Sequence, residues 1–227
     1  MNLQDLVVLY GSTELSPVAT CSFFEDPPFE RIKNVGYPMD HLEVTVVDDW
    51  GCVVPKGQQG QLRVRGWSVM REYWGDSERS HEAITPERWY NTGDTAVMNE
   101  NGSINIVGRL KDMVIRGGEN IYPAEVEQFL FKHHAVADVH IVGVPDERFG
   151  EELCAWVRLK DGHDAVTAEA IKEFCRGKIA ACKIPRYVLF KKEHEFPLTA
   201  TGKVRKAELR ELSKKELGLQ QIQSSFN

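Results

Sequence analysis

Gly108-Arg109-Leu110-Lys111-Asp112-Met113-Val114-Ile115-Arg116-Gly117-Gly118-Glu119-Asn120-Ile121-Tyr122-Pro123-Ala124-Glu125-Val126-Glu127 is the stretch on which the reading of this chain turns. Arg109, Lys111 and Asp112 form a polar joint after Gly108. The run Met113 to Ile115 is apolar and partly β-branched, the pattern of a short strand. Gly117-Gly118 lets the backbone turn sharply or approach a ligand closely. Pro123 stands where a helix can begin, and Glu125 and Glu127 complement the dipole of its first turns. Val126, Phe129 and Leu130 give that helix an apolar face. The order is strand end, polar joint, strand, glycine turn, helix, which reads as a hinge between two domains, 1–110 and 111–227.

Upstream, the patterning is mostly β. Leu6 to Leu9 predicts a buried strand that ends at Tyr10-Gly11-Ser12-Thr13-Glu14, where backbone N–H groups and hydroxyls are exposed at a strand's carboxyl end. Alone, that pentapeptide reads equally as a plain turn. Leu42 to Val47 and Gly60 to Gly66 alternate as strands. Thr95 to Met98 and Ser103 to Val107 flank the hairpin turn Asn99-Glu100-Asn101-Gly102. The aromatic run Trp67 to Trp74 reads as core. Downstream, helices and strands alternate: helix 123–133, strand 136–144, strand 153–160, helix 167–180, strand 187–190 and a charged helix 204–217. That order fits a compact α+β domain. Residues 220–227 read as a frayed tail.

The chain has 227 residues, enough for one domain or two. With 42% hydrophobic and 27% charged residues it has an ordinary globular composition. A net charge of -6 argues against a nucleic-acid-tracking surface, and no apolar run is long enough to span a membrane. The N-terminal residues resemble neither a signal nor a transit peptide. The five cysteines include no CxxC pair, so the chain predicts no structural zinc and a reducing compartment. The seven histidines form no HExxH, and His133-His134 at a helix end read as solvated.

Four pieces then stand in order: Tyr-Gly-Ser-Thr-Glu at 10–14, Thr-Gly-Asp at 92–94, Gly-Arg-Leu-Lys-Asp through Gly-Gly-Glu-Asn at 108–120, and Pro-Leu-Thr-Ala-Thr-Gly-Lys at 197–203. Together they resemble the adenylate-forming (AMP-binding) superfamily of acyl-CoA synthetases, peptide-synthetase adenylation domains and luciferases. Gly-Gly-Glu-Asn-Ile-Tyr-Pro looks most like acyl-CoA synthetases for medium-chain or related acids. The resemblance implies a mixed α/β and α+β fold: a remnant of the large adenylate-forming domain with a small antiparallel β unit over 1–110, then a mobile α+β lid over 111–227. The family's Ser/Thr/Gly-rich phosphate loop, which precedes Tyr-Gly-Ser-Thr-Glu, has no counterpart here, and Thr201-Gly202-Lys203 lacks the glycine spacing to replace it. The chain is therefore expected to be the carboxyl-terminal part of a synthetase, inactive alone, with an apolar sheet edge near Leu6 to Leu9 prone to self-association. Gln61, where the family often has Glu, and Glu72, where Gly often precedes Tyr-Trp, are small departures.

The resemblance implies activation of a fatty or related carboxylic acid by ATP to an acyl-adenylate, then transfer to coenzyme A, within fatty acid metabolism. Tyr10 would pack on adenine, with Gly11 and Ser12 shaping its loop. Thr13 would bond the α-phosphate, and Glu14 would hold Mg²⁺. Asp94 would accept both ribose hydroxyls, with Arg109 as an added donor. Lys203 would bridge carboxylate and phosphate, two anions that need a cation between them. Lys111 would be the hinge, and Gly117, Gly118 and Glu119 would line the CoA path. Without the family, Asp94 reads as a turn residue, Arg109 as a surface cation, Lys111 as an ordinary linker residue and Lys203 as a solvated loop lysine. The expected partners are a small carboxylic acid, ATP/AMP and CoA, with no nucleic acid. The expected location of the full-length protein is mitochondrial or cytoplasmic. The competing expectation is a non-catalytic nucleotide- or CoA-binding module.

Overall fold

The computed structural model describes residues 6–200 and 202–221. Thr201, inside the 197–203 motif, and most of the expected tail lie outside them. The chain divides into two compact units, 1–110 and 111–227.

The first unit contains strands β1 (Leu9–Tyr10), β2 (Thr20–Cys21), β3 (Tyr37–Pro38), β4 (Leu42–Val47), β5 (Gln59–Gly66), β6 (Tyr90–Met98) and β7 (Ile104–Arg109). Two helices join it, α1 (Pro28–Arg31) between β2 and β3, and α2 (Ser77–Ala83) between β5 and β6. β4 to β7 form an antiparallel meander in sequence order. The expected strand Leu6 to Leu9 is not formed: only Leu9–Tyr10 is strand, at the edge of the small β1-β2-β3 sheet, and Leu9 is exposed. Its apolar run has no long neighbour to pair with among the described residues. Trp67 and Trp74 are not core either, being 71% and 99% exposed. The core lies instead in two clusters, one around Leu15, Val64 and Tyr90, the other around Val46, Leu62 and Ile104. Helix α2 lacked an apolar pattern, but Asp76 caps it by accepting from the Arg79 N–H at 3.0 Å.

The second unit contains β8 (Val114–Arg116), β9 (Glu119–Ile121), α3 (Pro123–Leu130), β10 (Val136–Asp146), β11 (Gly150–Leu159), α4 (Ala168–Cys175), β12 (Tyr187–Phe190) and α5 (Lys206–Glu216). β11 is central, antiparallel to β10 along its length, antiparallel to β8 at Gly150 and parallel to β12. Alternate residues of β10 and β11 enter opposite cores. Val139, Ile141, Leu153, Ala155 and Val157 meet α3 and α4, whereas Val142, Val144, Cys154 and Trp156 meet Leu209 of α5. Burial on both faces explains the nearly continuous apolar runs in these strands. The glycine turn leads first into β9, not directly into the helix. α4 stops at Cys175, short of the expected 180, because Arg176 leaves helical geometry and Gly177 follows at φ +70°. His133 is buried, stacked on His134 at 4.5 Å and set edge-on against Phe174.

Candidate nucleotide site in the first unit and charged elements of the second

Each residue of the 10–14 motif has a local reason for its place. The ring of Tyr10 packs against both apolar clusters. A Cβ at Gly11 would stand 1.9 Å from the Pro17 carbonyl oxygen, so no side chain fits there. The Leu15 N–H reaches the Ser12 carbonyl at 3.0 Å and the Ala19 N–H reaches the Tyr10 carbonyl at 2.8 Å, closing the loop. Leu15 is fully buried and pins the 3₁₀ turn Thr13–Leu15, leaving Thr13 exposed and Glu14 half-buried.

The Tyr10 hydroxyl donates to Asp94 Oδ2 at 2.6 Å. Burial, and then the bond to Asp94, raise the Tyr10 phenol far above its ordinary value, so it stays a donor. Asp94 sits on β6 opposite Arg109 of β7, beside an irregularity in the register. Arg109 Nε lies 3.5 Å from Asp94 Oδ1, with side-chain exposures of 59% and 14%. Thr92 Oγ1 accepts the Asp94 N–H at 3.1 Å and donates to the Leu62 carbonyl at 2.8 Å. The structure thus brings Tyr10, Asp94 and Arg109 together.

Glu14 forms a second acceptor. Tyr73 Oη donates to its Oε1 at 3.0 Å, and the Arg79 guanidinium lies 4.2 Å over the Tyr73 ring. Burial pushes the Glu14 carboxyl up. Its own backbone N–H, Ser12, Tyr73 and Arg79 outweigh that and hold it below the usual carboxylate value. The buried Ser12 hydroxyl faces Glu14 and Tyr90 without aligning for a hydrogen bond to either. Burial, followed by Glu14 and Tyr73, pushes the Tyr90 phenol up to about 12. Sequence reasoning missed Tyr73, Tyr90 and Arg79. Tyr73 lay in the aromatic run read as core, and nothing local signals a pairing across 59 positions. A cavity of ≈ 310 Å³, lined by Arg63, Tyr73, Arg79, Asn91 and Gly93 among others, opens beside these groups. Among the described residues no group of three or more His, Cys, Asp or Glu side chains could hold a metal.

In the second unit, Gly117 and Gly118 form the β8–β9 turn with φ of +60° and +87°, the left-handed pair that a two-residue hairpin requires. Glu119 is exposed at the start of β9. Lys111 is exposed in the 3₁₀ turn Leu110–Asp112. Backbone bonds tie the two sides of the loop holding Lys203 together. Leu198 bridges Val204, the Thr199 N–H donates to the Lys203 carbonyl at 2.8 Å, and Thr199 Oγ1 accepts the Lys203 N–H at 3.0 Å. Lys203 lines a cavity of ≈ 440 Å³ in which His140 Nε2 lies 3.3 Å from Asp138, Arg158 pairs with Glu193 at 3.7 Å and Lys206 with Glu127 at 2.7 Å. Among the described residues no acid pairs with Lys203. Among the described residues no helix is long and apolar enough to cross a membrane.

Comparison with known proteins gives matches over both units. Residues 1–74 match the AMP-binding enzyme model and residues 125–203 match the AMP-binding enzyme C-terminal domain. The mitochondrial medium-chain acyl-CoA ligase ACSF2 of Danio rerio is 50% identical over 96% of this chain and 36% of its own length. The putative acyl-CoA synthetase YngI of Bacillus subtilis (strain 168) is 49% identical over 93% of this chain and 38% of its own. ATP-bound MatB from Rhodopseudomonas palustris superposes with a TM-score of 0.85 at 29% identity, covering 93% of this chain and 41% of that one. The chain spans little more than a third of the curated relatives it matches.

Proposed function

The chain belongs to the AMP-binding enzyme family, and from that premise we propose that it is the carboxyl-terminal part of an AMP-forming acyl-CoA synthetase acting on a fatty or related carboxylic acid. The observation that supports this best is the meeting of Tyr10, Asp94 and Arg109, drawn from three separate motifs onto one carboxylate with an adjacent cation. A carboxylate can accept two neighbouring hydroxyls, as a ribose offers. The Tyr10 hydroxyl, locked as a donor, fixes Asp94 for that task, and Arg109 adds a donor to ribose or phosphate. Gly11 and Ser12 shape the loop, and Thr13, exposed on its turn, bonds the α-phosphate. Glu14, kept ionised by its neighbours, is the residue that would hold Mg²⁺, and such an ion would supply positive charge beside the phosphates.

In the first step a carboxylate oxygen of the acid attacks the α-phosphorus. The bond to the β-phosphate bridging oxygen breaks and pyrophosphate leaves. Both reactants are anionic, so the Lys203 ammonium lowers the barrier by standing between them. In the second step the CoA thiolate attacks the acyl carbon and AMP leaves with the electron pair. Gly117-Gly118 gives pantetheine room and Glu119 flanks the path. Lys111 is the pivot by which the second unit alternates between the two steps. The full-length protein works in a reducing compartment, mitochondrial or cytoplasmic.

The test is turnover with ATP, Mg²⁺, CoA and acids of graded length. The protein spanning the family's full length forms acyl-CoA at the usual ~1–10³ s⁻¹. The 227-residue chain alone does not, because lost positioning of acid and ATP can forfeit about 7–11 kcal/mol of barrier lowering. ATP or CoA binding by the full-length protein, with no acid-dependent pyrophosphate exchange, would establish the competing reading of a binding module.

A further inference from the structure

Among the acids of the second unit that the two steps above leave unused, Glu152 is the most deeply buried. Its side chain is 1% exposed, on β11. Arg116 Nη2 donates to its Oε1 at 2.9 Å, and Arg116 Nε stands 2.8 Å from its Oε2. That second contact is too far off line for a hydrogen bond, so Oε2 relies on the charge of Nε. Arg186 Nη1 lies 3.8 Å from Oε1 and 2.7 Å from Asp146 Oδ2.

Arg116 is the residue immediately before Gly117. Besides Glu152, its Nη1 donates to the carbonyls of Ala181 at 3.2 Å and Cys182 at 2.7 Å. Its guanidinium also lies 5.3 Å from the centre of the Phe149 ring. Phe149 in turn fixes the glycine turn: its carbonyl accepts the Gly117 N–H at 2.8 Å, and a Cβ at Gly117 would come 3.1 Å from its Cδ1. Asp146, the other partner of Arg186, holds Phe149 by accepting its N–H at 2.9 Å. One buried acid and its arginines thus secure the turn through the side chain before it and the ring beneath it. Beyond that mount the tip is open, with nothing within 4 Å of a Cβ at Gly118.

We propose that Glu152 is a positioning residue for thioester formation, clamping Arg116 so that the Gly117–Gly118 turn keeps the shape past which the thiol arm of the second substrate runs. This rests on the reading of that turn as part of the CoA path. Two glycines alone would leave the turn mobile, since glycine has the widest backbone freedom. A buried carboxylate holding an arginine fork removes that freedom without placing any side chain in the path.

The experiment has two parts. Amide hydrogen exchange on the 227-residue chain compares wild type with Glu152→Gln. Exchange over Arg116 to Glu119 accelerates about tenfold or more, while the β10–β11 amides keep their protection. In the full-length protein, Glu152→Gln slows thioester formation from supplied acyl-adenylate by about 10²-fold, the usual scale for misplacement near 1 Å, and leaves adenylation within about twofold. Arg116→Lys, which keeps the charge and loses the fork, gives the same split and serves if Glu152→Gln fails to fold. Equal loss in both half-reactions, or unchanged exchange at the turn, overturns the proposal. Gly118→Val separates it from the reading beneath it. If that variant leaves the thioester step intact, the turn is not on the path. If it blocks the step while Glu152→Gln and Arg116→Lys do not, only the role of Glu152 fails.

Discussion

The two units hold the charged side chains of their candidate sites in different ways. In the first, the acids Glu14 and Asp94 are steadied by tyrosine hydroxyls, Tyr73 on one and Tyr10 on the other, with Arg109 only loosely paired. In the second, acids are matched by cations at short range: Glu127 with Lys206, Asp146 with Arg186, and Glu152 with Arg116. Lys203, in a cavity beside such pairs, has no acid partner among the described residues. A neutral hydroxyl keeps a carboxylate in place without cancelling its charge, whereas an arginine fork cancels it. At its candidate site the first unit therefore retains acceptors for hydroxyls and a cation, and Lys203 of the second unit retains its positive charge.

The largest expected effect tests that free charge. In the full-length protein, Lys203→Ala lowers adenylation about 10²–10³-fold, the usual cost of one well-placed electrostatic contact. Conversion of supplied acyl-adenylate to thioester is retained. Equal loss in both half-reactions would remove the distinction between Lys203 and its paired neighbours.

Next comes the acceptor side. Asp94→Asn keeps the shape and removes the charge, so the Tyr10 hydroxyl still has an oxygen to meet. Hydrogen bonds to charged groups contribute about 1.5–3 kcal/mol, so KM for ATP rises roughly 10–100-fold with kcat little changed. With 2′-deoxy-ATP the gap between wild type and variant narrows. A gap of the same size with both nucleotides would mean that Asp94 supports the sheet and does not read the ribose.

The smallest effect concerns a buried base in the second unit. Burial chiefly, with His134, His163 and Lys178 adding repulsion, lowers the His133 pKa below its ordinary 6.5. A histidine whose folded pKa is lowered binds a proton more readily when unfolded, so stability declines as pH falls through about 6.5 towards the folded value. Thermal melts between pH 7.5 and 5.5, on a scale of about one unit either side of that pKa, show this decline. His133→Asn, which keeps an acceptor for the Ala135 N–H that Nδ1 takes at 3.2 Å, flattens it. An unchanged slope in the variant would place the acid sensitivity elsewhere.

Much of the second unit was legible because its signals are local or periodic. Tyr187 to Phe190 stands in the structure as expected, and 136–144 extends only to Asp146, since apolar runs bounded by turn residues specify buried strands. Leu42 to Val47 is equally plain by alternation. The misreadings have physical causes. Trp67 and Trp74 are exposed because hydrophobicity states a preference for burial but not whether a surface exists to bury against. Lys203 reads from composition as a solvated loop lysine, and the backbone bonds between Thr199 and Lys203 that tie its loop are ones that any pair of residue types can make.

The sequence by itself determined the family, the mixed α+β class and which motif residues to propose for the site, because motif order and hydrophobic periodicity are written along the chain. Only the tertiary structure decided the partners. Tyr10 meets Asp94 across 84 positions and Tyr73 meets Glu14 across 59. Glu152, an acid in an apolar strand, meets Arg116, the residue before the glycine turn, across 36 positions. Such pairings depend on strand register and on which face of a sheet a side chain takes, and a carboxylate's chemistry is set by the groups that fold places around it.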